Sequence, residues 1–199
     1  LIIPMTAGLI ILRIPIVRFV YERGAFTSDA TELTAAVLLF GSMGLIGIGM
    51  REIASRAFYA LKDTVTPMVN GLVAMIVNVA LLFLFVGKLK WGVAGMAFAS
   101  SSSFLVAGVL LTIFLRKKIG SIGLRSALSS LWRCCLATAA MVGCIQPLFS
   151  KLTVLIPRTG FLAQLVVLFI TIISGVLVYV LGLALLNTKE TRYGWAMLR

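Results

Sequence analysis

The sequence predicts an all-α fold: a polytopic membrane bundle of six transmembrane helices. Three observations predict it. Apolar residues make up 61% of the 199-residue chain and charged residues only 12%, against roughly 45–50% and about 25% in soluble domains. The mean hydropathy is +1.12. The apolar residues also fall into six runs of about the 20 residues that one helical crossing needs. A soluble fold of this size has no interior for so much apolar surface, so lipid is the solvent for most of the chain.

The first span covers residues 1–20 and contains Arg13 and Pro15. Pro15 removes one helical hydrogen bond and kinks or ends the helix. Residues 21–31 form a loop in which Gly24 allows a tight turn. Ser28 or Asp29 then caps the next helix, with Glu32 completing a capping box. The second helix runs over 31–61, roughly 45 Å at 1.5 Å per residue, so it must tilt or protrude from a hydrocarbon core of about 30 Å. Gly41, Gly44 and Gly47 recur every third residue, a thin stripe that either packs against another backbone or acts as a hinge. After the connection 62–66, Pro67 opens the third helix, 67–86, where its missing N–H is unpaired in any case. Asn70 and Asn78 inside that helix either bond to a neighbouring helix or line a polar cavity.

A turn at 87–90 leads to Trp91, placed as an interfacial anchor. The fourth helix, 92–115, carries Gly95, Ala99 and Ser103 at intervals of four, a face of small residues for close packing. The basic stretch Arg116, Lys117, Lys118 to Arg125 follows. The fifth span covers 127–149, and 150–160 with Pro157 reads as a loop. The sixth span, 161–186, is aliphatic nearly all round and so faces lipid on several sides. The polar tail is 187–199. Lys62, the 116–125 cluster, Lys189, Arg192 and Arg199 fall on one membrane side; Arg18, Arg23, Lys88, Lys90, Lys151 and Arg158 fall on the other. The compact 116–125 cluster places its side, and the C-terminus, in the cytoplasm.

The net charge of +12 does not indicate nucleic acid, because the basic residues stand singly or in short groups between apolar runs rather than on a soluble face with aromatics. Cys134, Cys135 and Cys144 lie in one apolar helix. With no histidine in the chain and no CxxC pair, a zinc site is not indicated, and no cofactor is expected. No Ser-centred elbow, Gly-rich phosphate loop or carboxylate cluster suggests catalysis. The chain opens within an apolar run with no signal peptide before it, and reads as a fragment whose N-terminal part is missing.

Charge persists in one apolar region, REIASRAFYALKDTVTP from Arg51 to Pro67. An arginine at mid-membrane costs about 2.5–3.5 kcal/mol on insertion scales, so Arg13, Arg51 and Arg56 need a reason. Arg56 lies roughly 7 Å from the end of its helix and reaches the interface by snorkelling. Glu52 and Arg56, four apart, can pair. Arg51 lies about 15 Å from that end, and either lines an aqueous or anionic cavity or sits on a protruding helix. Arg13 sits deep if its helix starts before Leu1, and would then line such a cavity too. A guanidinium binds two phosphate oxygens at once, so an anionic lipid headgroup suits these sites.

Pro15-Ile16-Val17-Arg18 with Glu22-Arg23-Gly24-Ala25-Phe26-Thr27, then Arg56-Ala57-Phe58-Tyr59-Ala60-Leu61 and Asp63-Thr64-Val65-Thr66-Pro67, resemble the MurJ (MviN) family of lipid II flippases of the MOP exporter superfamily. The resemblance implies a fourteen-helix fold of two six-helix lobes and two extra C-terminal helices. Residues 1–118 would be the last four helices of the second lobe, and 119–199 the extra pair and a cytoplasmic tail. That pair would form a groove for the lipid tail. It implies flipping of the lipid-linked peptidoglycan precursor across the bacterial cytoplasmic membrane by alternating access. The partners would be that precursor, membrane lipids and the missing N-terminal lobe. Arg13, Arg51, Glu52, Arg56 and Asn78 are the cavity candidates. Two positions depart from the family pattern: Ile14 stands where many members carry a carboxylate, and Leu82 where some place a polar residue near a suspected cation site. The rival readings are an exporter of another lipid-linked saccharide or small cation, and a non-transporting membrane scaffold for cell-wall enzymes.

Overall fold

The structure is a computed structural model and describes residues 2–21, 28–120, 124–155 and 161–185. Seven α-helices occur among them: α1 (Ile2–Ile11), α2 (Arg13–Tyr21), α3 (Ser28–Ala60), α4 (Val65–Leu82), α5 (Gly92–Ile119), α6 (Leu124–Leu155) and α7 (Phe161–Leu185), with a π-helical segment, Phe83–Lys88, continuing α4. Five of them are long and apolar enough to cross a membrane, and α1 with α2 make a sixth span if taken together. The chain is a multi-pass, all-α membrane protein. The loop around Gly24, the side chain of Arg125, the loop at Pro157 and the tail lie outside the described residues.

The first span is broken rather than kinked. Its two halves meet at Leu12 with a bend of 69°. Pro15 explains the position. Its ring nitrogen has no hydrogen for the carbonyl of Ile11, four residues back, and its ring crowds that carbonyl. The ladder resumes on both sides, with Leu12 N donating to Gly8 O at 2.9 Å and Ile16 N to Leu12 O at 2.8 Å.

Other boundaries move for local reasons. Helix α3 starts at Ser28, so Asp29 sits in its first turn, where a carboxylate favours the helix dipole. Helix α4 starts at Val65, which makes Pro67 its third residue, still within the turn that needs no N–H donors. The expected turn at 87–90 is largely taken up by the π-helical segment, and the chain reverses at Leu89–Trp91. Helix α5 continues to Ile119, with Arg116, Lys117 and Lys118 in its last turn, where cations oppose the carbonyl end of the dipole. Helix α6 continues to Leu155, through part of the expected loop at 150–160. Residues 150–155 contain neither Gly nor Pro, so nothing local ends the helix there.

The chain divides into two compact bodies. One holds α3, α4, the π-helical segment and α5; the other holds Ile3–Tyr21 with α6 and α7. In the first, α5 packs between α3 and α4. A β-carbon on Gly47 would stand 2.5 Å from the Leu105 nitrogen, and one on Gly108 would stand 2.6 Å from the Gly47 oxygen. Gly44 meets Ser101 in the same way, while Gly41 faces open space. The glycine stripe is therefore a close backbone crossing at two of its three positions. Ser101 Oγ donates across it to Phe40 O at 2.6 Å. Ala54, Phe58, Leu111 and Leu115 form the apolar core at one end of this body. Phe40, Phe85, Trp91 and Phe98 meet ring to ring elsewhere in it.

In the second body α7 buries a stripe of Val167, Thr171, Gly175 and Tyr179, spaced by four, with Leu168 beside it. Ala137, Met141 and Ile145 of α6 face it and, with Leu12, complete the core. A β-carbon on Gly175 would stand 2.7 Å from Ile145 Cδ1, so this glycine receives the isoleucine. Much of the opposite face of α7, including Phe169, Ile173, Val176 and Leu181, is exposed, as an aliphatic span with lipid on several sides requires.

Candidate functional site

Of the five candidates, Arg51, Glu52, Arg56 and Asn78 belong to the three-helix body and Arg13 to the other. Arg13 opens α2, half-buried, and donates from Nη1 to Ile10 O at 2.9 Å. It thus covers a carbonyl at the helix break, where the regular ladder has lost its partner. A guanidinium has five N–H donors, so this bond leaves most of its capacity unused.

On α3, Glu52 and Arg56 are brought together as their spacing predicts. The Nη2–Oε1 distance is 3.2 Å, and Arg56 Nε also donates to Oε1 at 3.2 Å. Both side chains are well exposed, so the pair adds little to stability; its effect is to fix the orientation of Arg56. Arg51, one residue before Glu52, is exposed on the same helix and has no hydrogen bond or ion pair among the described residues.

Asn78 lies on α4 and faces α5. Its Nδ2 reaches Ser103 Oγ at 3.1 Å and Ser100 Oγ at 3.3 Å. Asn70, two turns earlier, donates to Ala107 O at 3.1 Å. Both amides hold the two helices together. The Asn70 side chain is buried, and its Oδ1 has no partner among the described residues. Leu82 closes α4 just before the π-helical segment.

Sequence reasoning passed over Asp63 and Lys118. Asp63 Oδ1 accepts from Thr66 N at 3.0 Å and Oδ2 from Thr66 Oγ1 at 2.8 Å, so this carboxylate caps α4 from outside it. Lys118, from the far end of α5, donates to the same carboxylate. The Lys118 ammonium, then the Thr66 donors, lower the Asp63 pKa from 3.8 to about 2. Lys118 also stands 5.7 Å from the centre of the Phe58 ring, a cation–π distance. The cap had a signal, an Asp three residues before a Thr at a helix start. The lysine had none, since 55 residues separate the partners.

Four likenesses to known proteins bear on identity. The family model described as lipid II flippase MurJ matches residues 1–168. The lipid II flippase MurJ of Thermosipho africanus is 39% identical over 112 residues, 56% of this chain and 23% of that protein. A MurJ relative in Bdellovibrio bacteriovorus is 32% identical over 181 residues, 91% of this chain and 33% of that one. A solved lipid II flippase MurJ in an inward closed conformation superposes with a TM-score of 0.66 at 28% identity, over 100% of this chain and 37% of that one. The chain therefore spans between about a quarter and a third of the curated relatives it matches. Because the family model covers most of the sequence, and the same helical fold recurs over its full length in a solved member, this chain belongs to the MurJ family of lipid II flippases.

Proposed function

We propose that this chain is part of a flippase that carries the lipid-linked peptidoglycan precursor, lipid II, from the inner to the outer leaflet of the bacterial cytoplasmic membrane. The observation that supports this best is the match of the whole chain to a solved lipid II flippase. In this reading residues 1–118 supply the last four helices of the second lobe. Residues 119–199 supply two extra helices and a cytoplasmic tail. The aliphatic faces of α6 and α7 take the substrate's long hydrocarbon tail, for which an apolar surface without polar groups is suited. The protein moves its substrate without changing a covalent bond, by exposing one binding cavity alternately to the two leaflets.

Arg51 is the residue assigned to the substrate's pyrophosphate. Its charge is retained on a membrane helix where it costs stability, and its fork matches phosphate oxygens. Glu52 takes up Arg56 and leaves Arg51 uncompensated. Arg13 is a second anion candidate in its own right, at the helix break, with the donors that Ile10 does not use. Asn78 belongs to the polar lining between α4 and α5.

The test is complementation of a flippase-depleted bacterium by the full-length protein at native expression. Wild type restores growth, and Arg51→Ala fails to while reaching the membrane at normal levels. Full growth with Arg51→Ala removes that residue from the site. Failure of wild type to move lipid II between leaflets of a vesicle removes the transport reading itself.

A further inference from the structure

Three chain segments meet at one end of the three-helix body: the C-terminus of α3, the N-terminus of α4 and the C-terminus of α5. The contact of Asp63 with Lys118 brings them together. Five charged residues lie on these segments, Lys62, Asp63, Arg116, Lys117 and Lys118. The single carboxylate among them is occupied twice, by Lys118 and by the Thr66 donors of the α4 cap. Lys62, Arg116 and Lys117 remain, all exposed.

The backbone at Lys62 is informative. Helix α3 ends with Lys62 N donating to Tyr59 O at 2.9 Å and Asp63 N to Phe58 O at 3.0 Å. That pair of bonds is a Schellman ending, whose left-handed position is usually glycine. Here it is lysine, at φ 60°. A side chain there strains the backbone where glycine would not. Helix α5 ends on a glycine, Gly120 at φ 85°, whose N–H donates to Arg116 O at 3.0 Å. Two neighbouring helices thus end differently, and the one that departs from glycine does so with a cation.

We propose that Lys62, Arg116 and Lys117 form a docking surface for the headgroups of anionic phospholipids in the adjoining leaflet. Lys62 stands between the apolar spans Asp29–Ala60 and Val65–Lys88, and Arg116 and Lys117 in the last turn of the span Gly92–Ile119, positions that basic residues take at the membrane surface. Lysine and arginine beside an anionic membrane surface attract it by about fivefold in affinity each. The ion pair with Lys118 keeps Asp63 from opposing that attraction. This inference stands independently of the transport reading.

The experiment is native mass spectrometry of the purified full-length protein from micelles holding phosphatidylglycerol and phosphatidylcholine in equal amount. Wild type retains phosphatidylglycerol preferentially, and raising the salt weakens the preference. The variant combining Lys62→Gly, Arg116→Gln and Lys117→Gln loses affinity for phosphatidylglycerol by up to roughly 100-fold and keeps its affinity for phosphatidylcholine. Lys62→Gly alone keeps or raises the unfolding temperature in phosphatidylcholine, because it removes the strained side chain, and yet retains less phosphatidylglycerol. The double variant Arg116→Gln with Lys117→Gln leaves the α3 ending untouched and shows the same direction of loss. Undiminished preference for phosphatidylglycerol in the triple variant overturns the proposal. Equal loss of both lipids does so too, since it reports damage to the fold.

Discussion

Asp63 is the residue on which most local structure converges. It caps α4, binds Lys118 and so joins the α3–α4 connection to the end of α5. Its folded pKa, about 2, lies below its ordinary 3.8. A depressed carboxylate stabilises the fold above the unfolded pKa, and that stabilisation is lost as the pH falls through the folded value. Thermal unfolding should therefore place Asp63→Asn below wild type at pH 7, with the gap closing between pH 3.8 and 2. Asn78 makes a different kind of contact, two amide bonds to serine hydroxyls inside the membrane. Interhelical bonds of this type are worth about 0.6 kcal/mol on average and up to about 1.7. Asn78→Ala should lower stability by that order; a mutant as stable as wild type would mean the bonds carry no weight in the bilayer.

At the scale of the element, glycine acts by what lies opposite it. Gly47 faces the α5 backbone, and Gly41 of the same stripe faces nothing within 4 Å. Gly47→Ala should push α3 from α5 and cost about 1–3 kcal/mol, as overpacking does. Gly41→Ala should instead gain about 0.5–1 kcal/mol, because it stiffens a helix without a clash. Unfolding in detergent gives both signs in one series. The first span obeys a different rule. Pro15 has no N–H for the Ile11 carbonyl, and Arg13 covers the carbonyl of Ile10 beside it. Pro15→Ala restores the missing donor and should reduce the 69° bend, measured as a lengthened distance between spin labels at either end of the span.

At the scale of the whole molecule, basic residues set the direction of a chain in the membrane. The proposed orientation puts Lys117 in the cytoplasm and Lys90 outside, because the compact basic cluster at the end of α5 is retained on the inner side. Both positions are exposed. In a background lacking Cys134, Cys135 and Cys144, Lys90→Cys should react with an impermeant maleimide in intact cells, and Lys117→Cys only after lysis. The reverse pattern inverts the protein and moves the C-terminus outside.

The number and approximate length of the crossings were legible in the residues alone, because hydrophobic transfer adds up along a segment and takes little notice of its neighbours. So was the Glu52–Arg56 pair, which needs only one turn of helix. Pro15 announced an interruption, but the break fell at Leu12, since proline acts on the carbonyl four residues before it. Only the tertiary structure decided that Asn78 meets Ser100 and Ser103, that Gly47 but not Gly41 is a crossing point, and that Lys118 closes on Asp63. Each of these depends on which faces of separate helices meet, and that is settled by the packing of the bundle as a whole.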